Sequence, residues 1–296
     1  MLVGLAYVGA RWPGSIVLFD NLSNFPAHFA ATFLACATLL AFLRRLPWAI
    51  AAALGCALSL AQVLPWYSGQ DPSGSPEPGV KLLVSNVNQG NRRYELLERL
   101  IAGEKPDVVG LVEVNQRWQR ELGYLRARYP HHFEMPDERF VGLGLYSRLP
   151  LENARTLRVP GGSTPAIAAT LKAPGGDVEI LIVHPVPPMD ASLIRRRNEQ
   201  IRGLAQHAQS AQGPLVMAGD FNITMWNAGY RPLVEAGGLR NAREGRGIRP
   251  TWPALGPLGV PIDHILASPE INLRNFRVLG RVGSDHLPIA AEFFVP

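Results

Sequence analysis

From residue 80 onward the chain repeats one arrangement, a short apolar run that ends on a polar residue. Residues 81–85 close on Asn86, 107–112 on Glu113, 178–183 on His184, and 215–218, by way of Gly219, on Asp220 and Asn222. The runs 141–147, 166–171, 262–267 and 289–295 have the same character. Short runs rich in branched aliphatic residues predict buried strands. Two segments carry a helical period instead. Residues 93–102 place Leu96, Leu97, Leu100 and Ile101 on one face, and 192–209 form a longer amphipathic stretch opened by Arg195, Arg196 and Arg197. Many strands with few intervening helices predict an α/β fold in which two sheets pack face to face, with helices outside.

The first part of the chain follows another pattern. Residues 27–43 carry no formal charge apart from His28, and 46–64 carry none. Each approaches the roughly 20 apolar residues that a bilayer-crossing helix needs. Arg44 and Arg45 separate them, Pro47 suits the first turn of the second helix, and Trp48, Trp66 and Tyr67 flank it as interface anchors would. A third apolar stretch, residues 2–19, is interrupted by Arg11 and Pro13. The expected organisation is a membrane anchor of two or three transmembrane helices over residues 1–67, a linker rich in Pro, Gly and Ser over 68–79, and a globular domain over 80–296. Arg44 and Arg45 place the helix–helix turn in the cytoplasm by the positive-inside rule. The globular domain then lies on the far side, periplasmic or extracellular, and the expected location is a bacterial inner membrane.

Composition adds a few limits. Of the 296 residues, 47% are hydrophobic and 18% charged, and the shortage of charge lies in the N-terminal part. The net charge of +5 permits contact with phosphates or anionic lipid without requiring either. The two cysteines, Cys36 and Cys56, both lie in the apolar region, which leaves the globular part without a disulfide, a thiolate zinc site or a cysteine nucleophile.

Candidate chemistry follows from position. Asn86, Glu113, His184, Asp220 and Asn222 end apolar runs, Asp263 sits within one, and Asp285 and His286 precede the last. One such residue is ordinarily a cap or turn, and Gly219–Asn222 alone reads equally well as a strand followed by an Asx turn. Together they form a set of carboxylates, amides and imidazoles that strand ends would bring to one rim. Glu113 is a hard oxygen ligand suited to Mg2+, with Mn2+ as the alternative. His286 beside a carboxylate suits proton removal from water, and Asn222 and His184 suit hydrogen bonding to phosphoryl oxygens. With no Ser, Cys or Lys nucleophile motif, direct attack by water is the expected course. Arg240, Arg243, Arg246 and Arg249, spaced every third residue, and Arg195–Arg197 fit either a phosphate backbone or a solvated basic surface.

Taken in order, Ser85-Asn86-Val87-Asn88, Gly110-Leu-Val-Glu113-Val, Leu145-Tyr-Ser-Arg148, Ile182-Val-His184, Gly219-Asp-Phe-Asn222, Pro261-Ile-Asp263-His-Ile-Leu and Ser284-Asp285-His286-Leu-Pro resemble the endonuclease/exonuclease/phosphatase superfamily with its deoxyribonuclease I-like fold. The resemblance spans residues 80–296. With the anchor and Thr251-Trp252-Pro253, it is similar to a bacterial membrane-anchored branch. It implies a four-layer α/β sandwich of two mainly antiparallel sheets with outer helices, and metal-dependent phosphoester hydrolysis. It makes Glu113 the main metal ligand, with Asn86 and Asp285 near it. It pairs His286 with Asp263 as general base, with Asp220 as the rival base, and gives Asp220, Asn222 and His184 roles in positioning water and stabilising the transition state. Asn88 and Arg148 become substrate contacts. Asn88 stands where repair nucleases of the family often carry Asp, which favours a single metal. The implied activity is phosphodiester hydrolysis, nuclease-like first, with a phospholipid or inositol-phosphate phosphoesterase as the alternative. The reading from another class is a membrane-anchored binding module without catalysis. The expected partners are the phosphodiester substrate, nucleic acid or a phospholipid headgroup, and the lipid bilayer, with no protein partner.

Overall fold

The computed structural model describes residues 17–69 and 79–295. The first apolar stretch, up to residue 16, and the linker over 70–78 lie outside the described residues.

Among the described residues, three N-terminal helices, α1 (Val17–Leu22), α2 (Pro26–Phe42) and α3 (Leu46–Val63), precede the sandwich. Helices α2 and α3 form a hairpin that turns through Leu43, Arg44 and Arg45. Few side chains separate them: Ala30, Phe33, Ala49, Ala52 and Cys56 are buried, while Phe42, Trp48, Ile50 and Leu54 stand exposed on its outer face. Together with the 3-10 turn that follows α3, the helix over residues 46–67 is long and apolar enough to cross a membrane; Pro26–Phe42 is apolar but shorter. An apolar outer surface of this extent marks an interaction surface.

The remainder is a sandwich of two six-stranded sheets. One has strands in the order β11 (Asn272–Val278), β12 (Ile289–Phe294), β1 (Val80–Asn86), β2 (Val108–Val112), β4 (Leu143–Ser147), β3 (His131–Met135). The other runs β5 (Leu151–Leu157), β6 (Ala166–Ala173), β7 (Gly176–Val183), β8 (Leu215–Asp220), β10 (Asp263–Ala267), β9 (Arg240–Asn241). Strand alternation divides the core into three apolar layers. Val80, Leu82 and Val84 of β1 meet Ile180 and Ile182 of β7 and Val216 of β8 between the sheets. Leu83 and Val109 face outward onto α4 (Tyr94–Glu104) through Leu97 and Ile101, in a layer that also holds Trp118 of α5 (Gln116–Glu121) and Leu125 of α6 (Gly123–Arg128). Leu181 and Met217 face outward onto Ile201 and Leu204 of α7 (Ala191–Ser210). The order helix, sheet, sheet, helix gives the four layers expected. Gly110 permits close approach of the sheets, since a Cβ there would lie 2.5 Å from Ile182 Cδ1. The N-cap of α7, Asp190, accepts from the Leu193 amide, a contact typically worth about 1 kcal/mol.

Strand direction decides which residues meet. Strands β1 and β2 are parallel across α4, as are β7 and β8 across α7. Their C-terminal ends therefore share one rim, bringing Asn86, Glu113, His184 and Asp220 together. Strands β10 and β12 run antiparallel to β8 and β1, with Asp263 opposite Asp220 and Ile289 opposite Val84. Their N-terminal ends reach the same rim, which adds Asp263 and the Asp285-His286 pair.

The N-terminal helices seat on the sandwich directly. The Asp20 carboxylate of α1 receives two contacts from Arg197 Nη2, at 3.1 and 2.9 Å, and both residues are fully buried. Asn24 Oδ1 accepts from the Thr224 amide and hydroxyl, Trp226 Nε1 donates to Gln62 O, and Gly247 N donates to Trp66 O. The hairpin and the domain are thus joined by more than residues 68–79.

Candidate active site

The rim is organised around the carboxylate of Asp220, which is 1% exposed. Its Oδ1 accepts from the Asn222 amide at 2.8 Å, closing an Asx turn. Its Oδ2 accepts from Asn86 Nδ2 at 3.1 Å and lies 3.5 Å from His184 Nε2 and 3.6 Å from His286 Nε2. Both readings of the Gly219–Asn222 stretch are therefore realised: one oxygen makes the turn and the other faces the site. Gly219 makes this possible. Its φ is +151°, and a Cβ would lie 1.9 Å from Val183 O.

The other groups join this centre. Asn86 Nδ2 also donates to Glu113 Oε1 at 2.9 Å, and Gln89 N donates to Glu113 Oε2. Glu113 has φ 63°, a left-handed turn that carries its carboxylate away from the line of β2 to a half-exposed position. His286 Nδ1 lies 3.0 Å from Asp263 Oδ2, which leaves Nε2 toward Asp220. Asn88 Nδ2 donates to Asp285 Oδ1 at 2.7 Å, and Trp252 Nε1 donates to Asp285 Oδ2 at 3.0 Å. Thr251 Oγ1 accepts from Asp263 N, and Ser284 Oγ from His286 N. Trp252, Thr251, Ser284 and Gln89 complete the site without having been assigned a role in it. The Thr-Trp-Pro signal was visible at 251–253 and Ser284 stood in the Ser-Asp-His run, while Gln89 acts through its backbone N–H, which leaves no side-chain pattern.

Two expected residues are placed differently. Arg148 follows β4, and β4 runs antiparallel to β2, with Ser147 opposite Val108 and Leu143 opposite Val112. Arg148 is therefore at the other end of the sandwich, about 16 Å along the strand from the rim, where its guanidinium lies over the Tyr129 ring. Asn222 is at the rim but is not extended: its φ is 52°, and Nδ2 donates to Pro185 O at 2.9 Å. The alternation that would put Asp220 and Asn222 on one side of a strand stops at Asp220.

Two of the arginines expected as alternative phosphate contacts are buried, while Arg240 and Arg249 stay exposed and Arg246 is partly exposed. Arg197 is buried against Asp20 and also donates to Asn222 O. Arg243 is fully buried and donates to Ile248 O, Arg249 O and Asp263 O. Arg240 donates to Pro269 O and Ile271 O, Arg246 to Ala242 O, and Arg249 to Arg246 O. Arg195 and Arg196 remain on the exposed face of α7.

The electrostatics follow from carboxylates crowded beside imidazoles. Burial disfavours charge on Asp220, but His286 and His184 overcome it and hold its pKa at about 2. Burial likewise opposes charge on His286, but Asp263 and Asp220 push it up to about 10. His184 is raised because its contact with Asp220 outweighs its burial. Asp263 is raised, chiefly by burial. Asp285 is lowered: burial works against its charge, and the Asn88 hydrogen bond and His286 prevail. Amides, imidazoles and the Trp252 indole surround these acids, and among the described residues no Lys or Arg hydrogen bond to their carboxylates is seen.

Glu113, Asn86 and Asp285 offer oxygen atoms at a partly open rim, a donor set that fits Mg2+ or Mn2+. Asp220, Asp263 and His286 also offer ligand atoms within 4.8 Å of one another. Those atoms engage one another through the His286–Asp263 hydrogen bond and the His286–Asp220 ion pair.

Residues 83–286 match the model of the Endonuclease/Exonuclease/phosphatase family. No curated protein matches the sequence. Among solved structures, the chain is similar to humanized D. rerio TDP2, with 20% identity, TM-score 0.62, and coverage of 73% of this chain and 99% of that one. It is similar to the 3' phosphatase NExo from Neisseria bound to product DNA hairpin, with 23% identity, TM-score 0.61, and coverage of 73% and 99%. It is also similar to an endonuclease/exonuclease/phosphatase from Beutenbergia cavernae, with 22% identity, TM-score 0.60, and coverage of 74% and 72%.

Proposed function

Because the chain belongs to the endonuclease/exonuclease/phosphatase family, whose members are phosphoester hydrolases, we propose that it is a divalent-metal-dependent phosphodiesterase acting by direct attack of water. The observation that carries this reading is the convergence of Asn86, His184 and His286 on one oxygen of Asp220, with Glu113 beside them.

Glu113, with Asn86 and Asp285, would hold Mg2+ or Mn2+. Bound there, the ion supplies charge neutralisation at the phosphoryl group and the departing oxygen. The chain's own residues do the rest. Asp263 fixes the His286 ring through Nδ1, and Nε2 and Asp220 Oδ2 together orient the attacking water. The proton released by that water enters the Asp220–His286–Asp263 group, which titrates as a unit. Asn222 and His184 stabilise charge that builds on the phosphoryl oxygens. Asn88 positions Asp285 and contacts the substrate. The hairpin holds the protein in a membrane, with Arg44 and Arg45 on the cytoplasmic side and the catalytic domain on the other, which in a bacterium is the periplasm.

A nuclease-like activity draws support from structures such as NExo bound to a DNA hairpin and D. rerio TDP2 complexed with single-strand DNA product.

The test is hydrolysis of bis-(p-nitrophenyl) phosphate by the full chain in detergent, after chelation and again after adding Mg2+ or Mn2+. Turnover restored by metal supports the reading. No turnover with any divalent metal leaves a binding module.

A further inference from the structure

We propose that this site takes its phosphodiester from the headgroup layer of a lipid bilayer, with Trp252, Leu255 and Leu258 forming the lip that meets the membrane. The proposal rests on the phosphodiesterase reading of the site and on the membrane reading of the hairpin.

The hairpin meets the sandwich at the loops that leave the catalytic rim, and Trp66, beyond α3, adds a contact to Gly247. The loop after Asp220 is gripped by the residues that flank the hairpin: Asn24, just ahead of α2, binds Thr224, and Gln62, in the last turn of α3, accepts from Trp226 Nε1. A second rim loop meets the first turn of α2, where His28 Nε2 lies 3.2 Å from Leu258 O. The Arg44–Arg45 turn is at the hairpin's other end. A bilayer that covers the exposed faces of α2 and α3 therefore ends where these two rim loops begin, and the opposite rim faces away from it.

The second loop is built for that boundary. Leu255 and Leu258 are 59% and 66% exposed, on a loop with a short 3-10 turn at Gly256–Leu258. Two bare leucines beside the root of an apolar hairpin extend its apolar surface toward the site. Trp252, 38% exposed, spans the remaining distance. Its indole N–H is bonded to Asp285, and its ring centre is 6.2 Å from that of His286. An amphipathic indole suits the layer between hydrocarbon and water. The same loop thus touches the hairpin at one end and the proposed general base at the other.

The chemistry is that already described, applied to a lipid phosphodiester. The oxygen of water bonds to phosphorus, and the bond from phosphorus to one ester oxygen breaks. The water proton passes to the Asp220–His286–Asp263 group, and the departing oxygen leaves as an alcohol on taking up a proton. The products are a phosphomonoester and an alcohol, one of which keeps the acyl chains.

The experiment uses the full chain reconstituted with Mg2+ in vesicles of phosphatidylethanolamine, phosphatidylglycerol and phosphatidylinositol. Lipid hydrolysis is measured beside bis-(p-nitrophenyl) phosphate and single-stranded and duplex DNA. The expected result is lipid turnover. The double variant Leu255→Asp, Leu258→Asp should lower it at least tenfold relative to turnover of the soluble diester. Turnover of the soluble diester without turnover of any vesicle lipid, with or without DNA cleavage, overturns the lipid assignment and leaves the phosphodiesterase reading standing. An unchanged ratio in the double variant also overturns it. Failure on every phosphodiester overturns the underlying reading and this proposal with it.

Discussion

The two ends of the sandwich use similar acidic residues and treat them in opposite ways. At the end where β1 begins, Glu104 sits 2.7 Å from both Lys81 Nζ and Arg277 Nη2. Nearby in the second sheet, Glu179 is held by Arg155 and His207, each at 2.9 Å. Each of these two carboxylates has an answering charge. At the end where β1 finishes, Glu113, Asp220, Asp263 and Asp285 share amides, imidazoles and an indole, and among the described residues no guanidinium or ammonium group forms an ion pair with their carboxylates; Arg243 reaches only the backbone carbonyl of Asp263. Carboxylates gathered without guanidinium or ammonium partners cost folding free energy through mutual repulsion and desolvation. Where strand ends from both sheets impose that arrangement, the natural complement is a cation from solution. The acids at the first end are neutralised within the fold, and those at the rim keep only amide, imidazole and indole partners.

Substitutions can break this contrast, and the largest effect is expected at the unpaired rim. Glu113→Ala and His286→Ala should each reduce metal-dependent turnover of bis-(p-nitrophenyl) phosphate by about a thousandfold or more, with circular dichroism unchanged. Retained activity in either variant would remove that residue from the site. The next effect concerns how the rim is supported. Arg197→Ala strands Asp20 as a buried, uncompensated carboxylate and should lower unfolding free energy by about 3–5 kcal/mol, measured by denaturant unfolding in detergent. The paired replacement Asp20→Leu, Arg197→Leu removes both charges and should recover much of that loss. Equal losses in the two variants would mean that the ion pair does not tie α1 to the domain.

The smallest effect belongs to the paired end. The Lys81 hydrogen bond leads the interactions that hold the Glu104 carboxyl below its ordinary value of 4.5. A depressed folded-state value contributes stability that is fully present above 4.5 and is lost as the pH falls through the lowered value. Glu104→Gln should therefore flatten the acid side of the stability curve, change stability at neutral pH by about 1 kcal/mol or less, and leave turnover unaltered. A large loss of turnover would show that the two ends are not separate in function.

Much of the unpaired rim was legible because the sequence places each polar residue directly after or before an apolar run, and parallel strand pairs carry such ends to one place. The outer helices were legible from their period. Strand direction was not. Residues 143–147 read as a strand, but nothing local says that β4 runs against β2, so Arg148 was expected at the wrong end. The edge strands β3, β5 and β11 were missed because one face of each meets solvent and their runs are mostly polar. Arg197 read as part of a basic helical surface; its partner Asp20 is 177 positions away, and only the folded chain shows that the two meet. Arg243 was hidden in the same way, its charge consumed by backbone carbonyls that a residue pattern does not record.

The contrast between the two ends is tested most directly by metal binding itself. Titration calorimetry with Mg2+, on the full chain in detergent after chelation, should show binding in the wild type and in Glu104→Ala, and its loss in Glu113→Ala. Undiminished Mg2+ binding in Glu113→Ala, or loss of binding in Glu104→Ala, would contradict the assignment of the unpaired rim as the cation site.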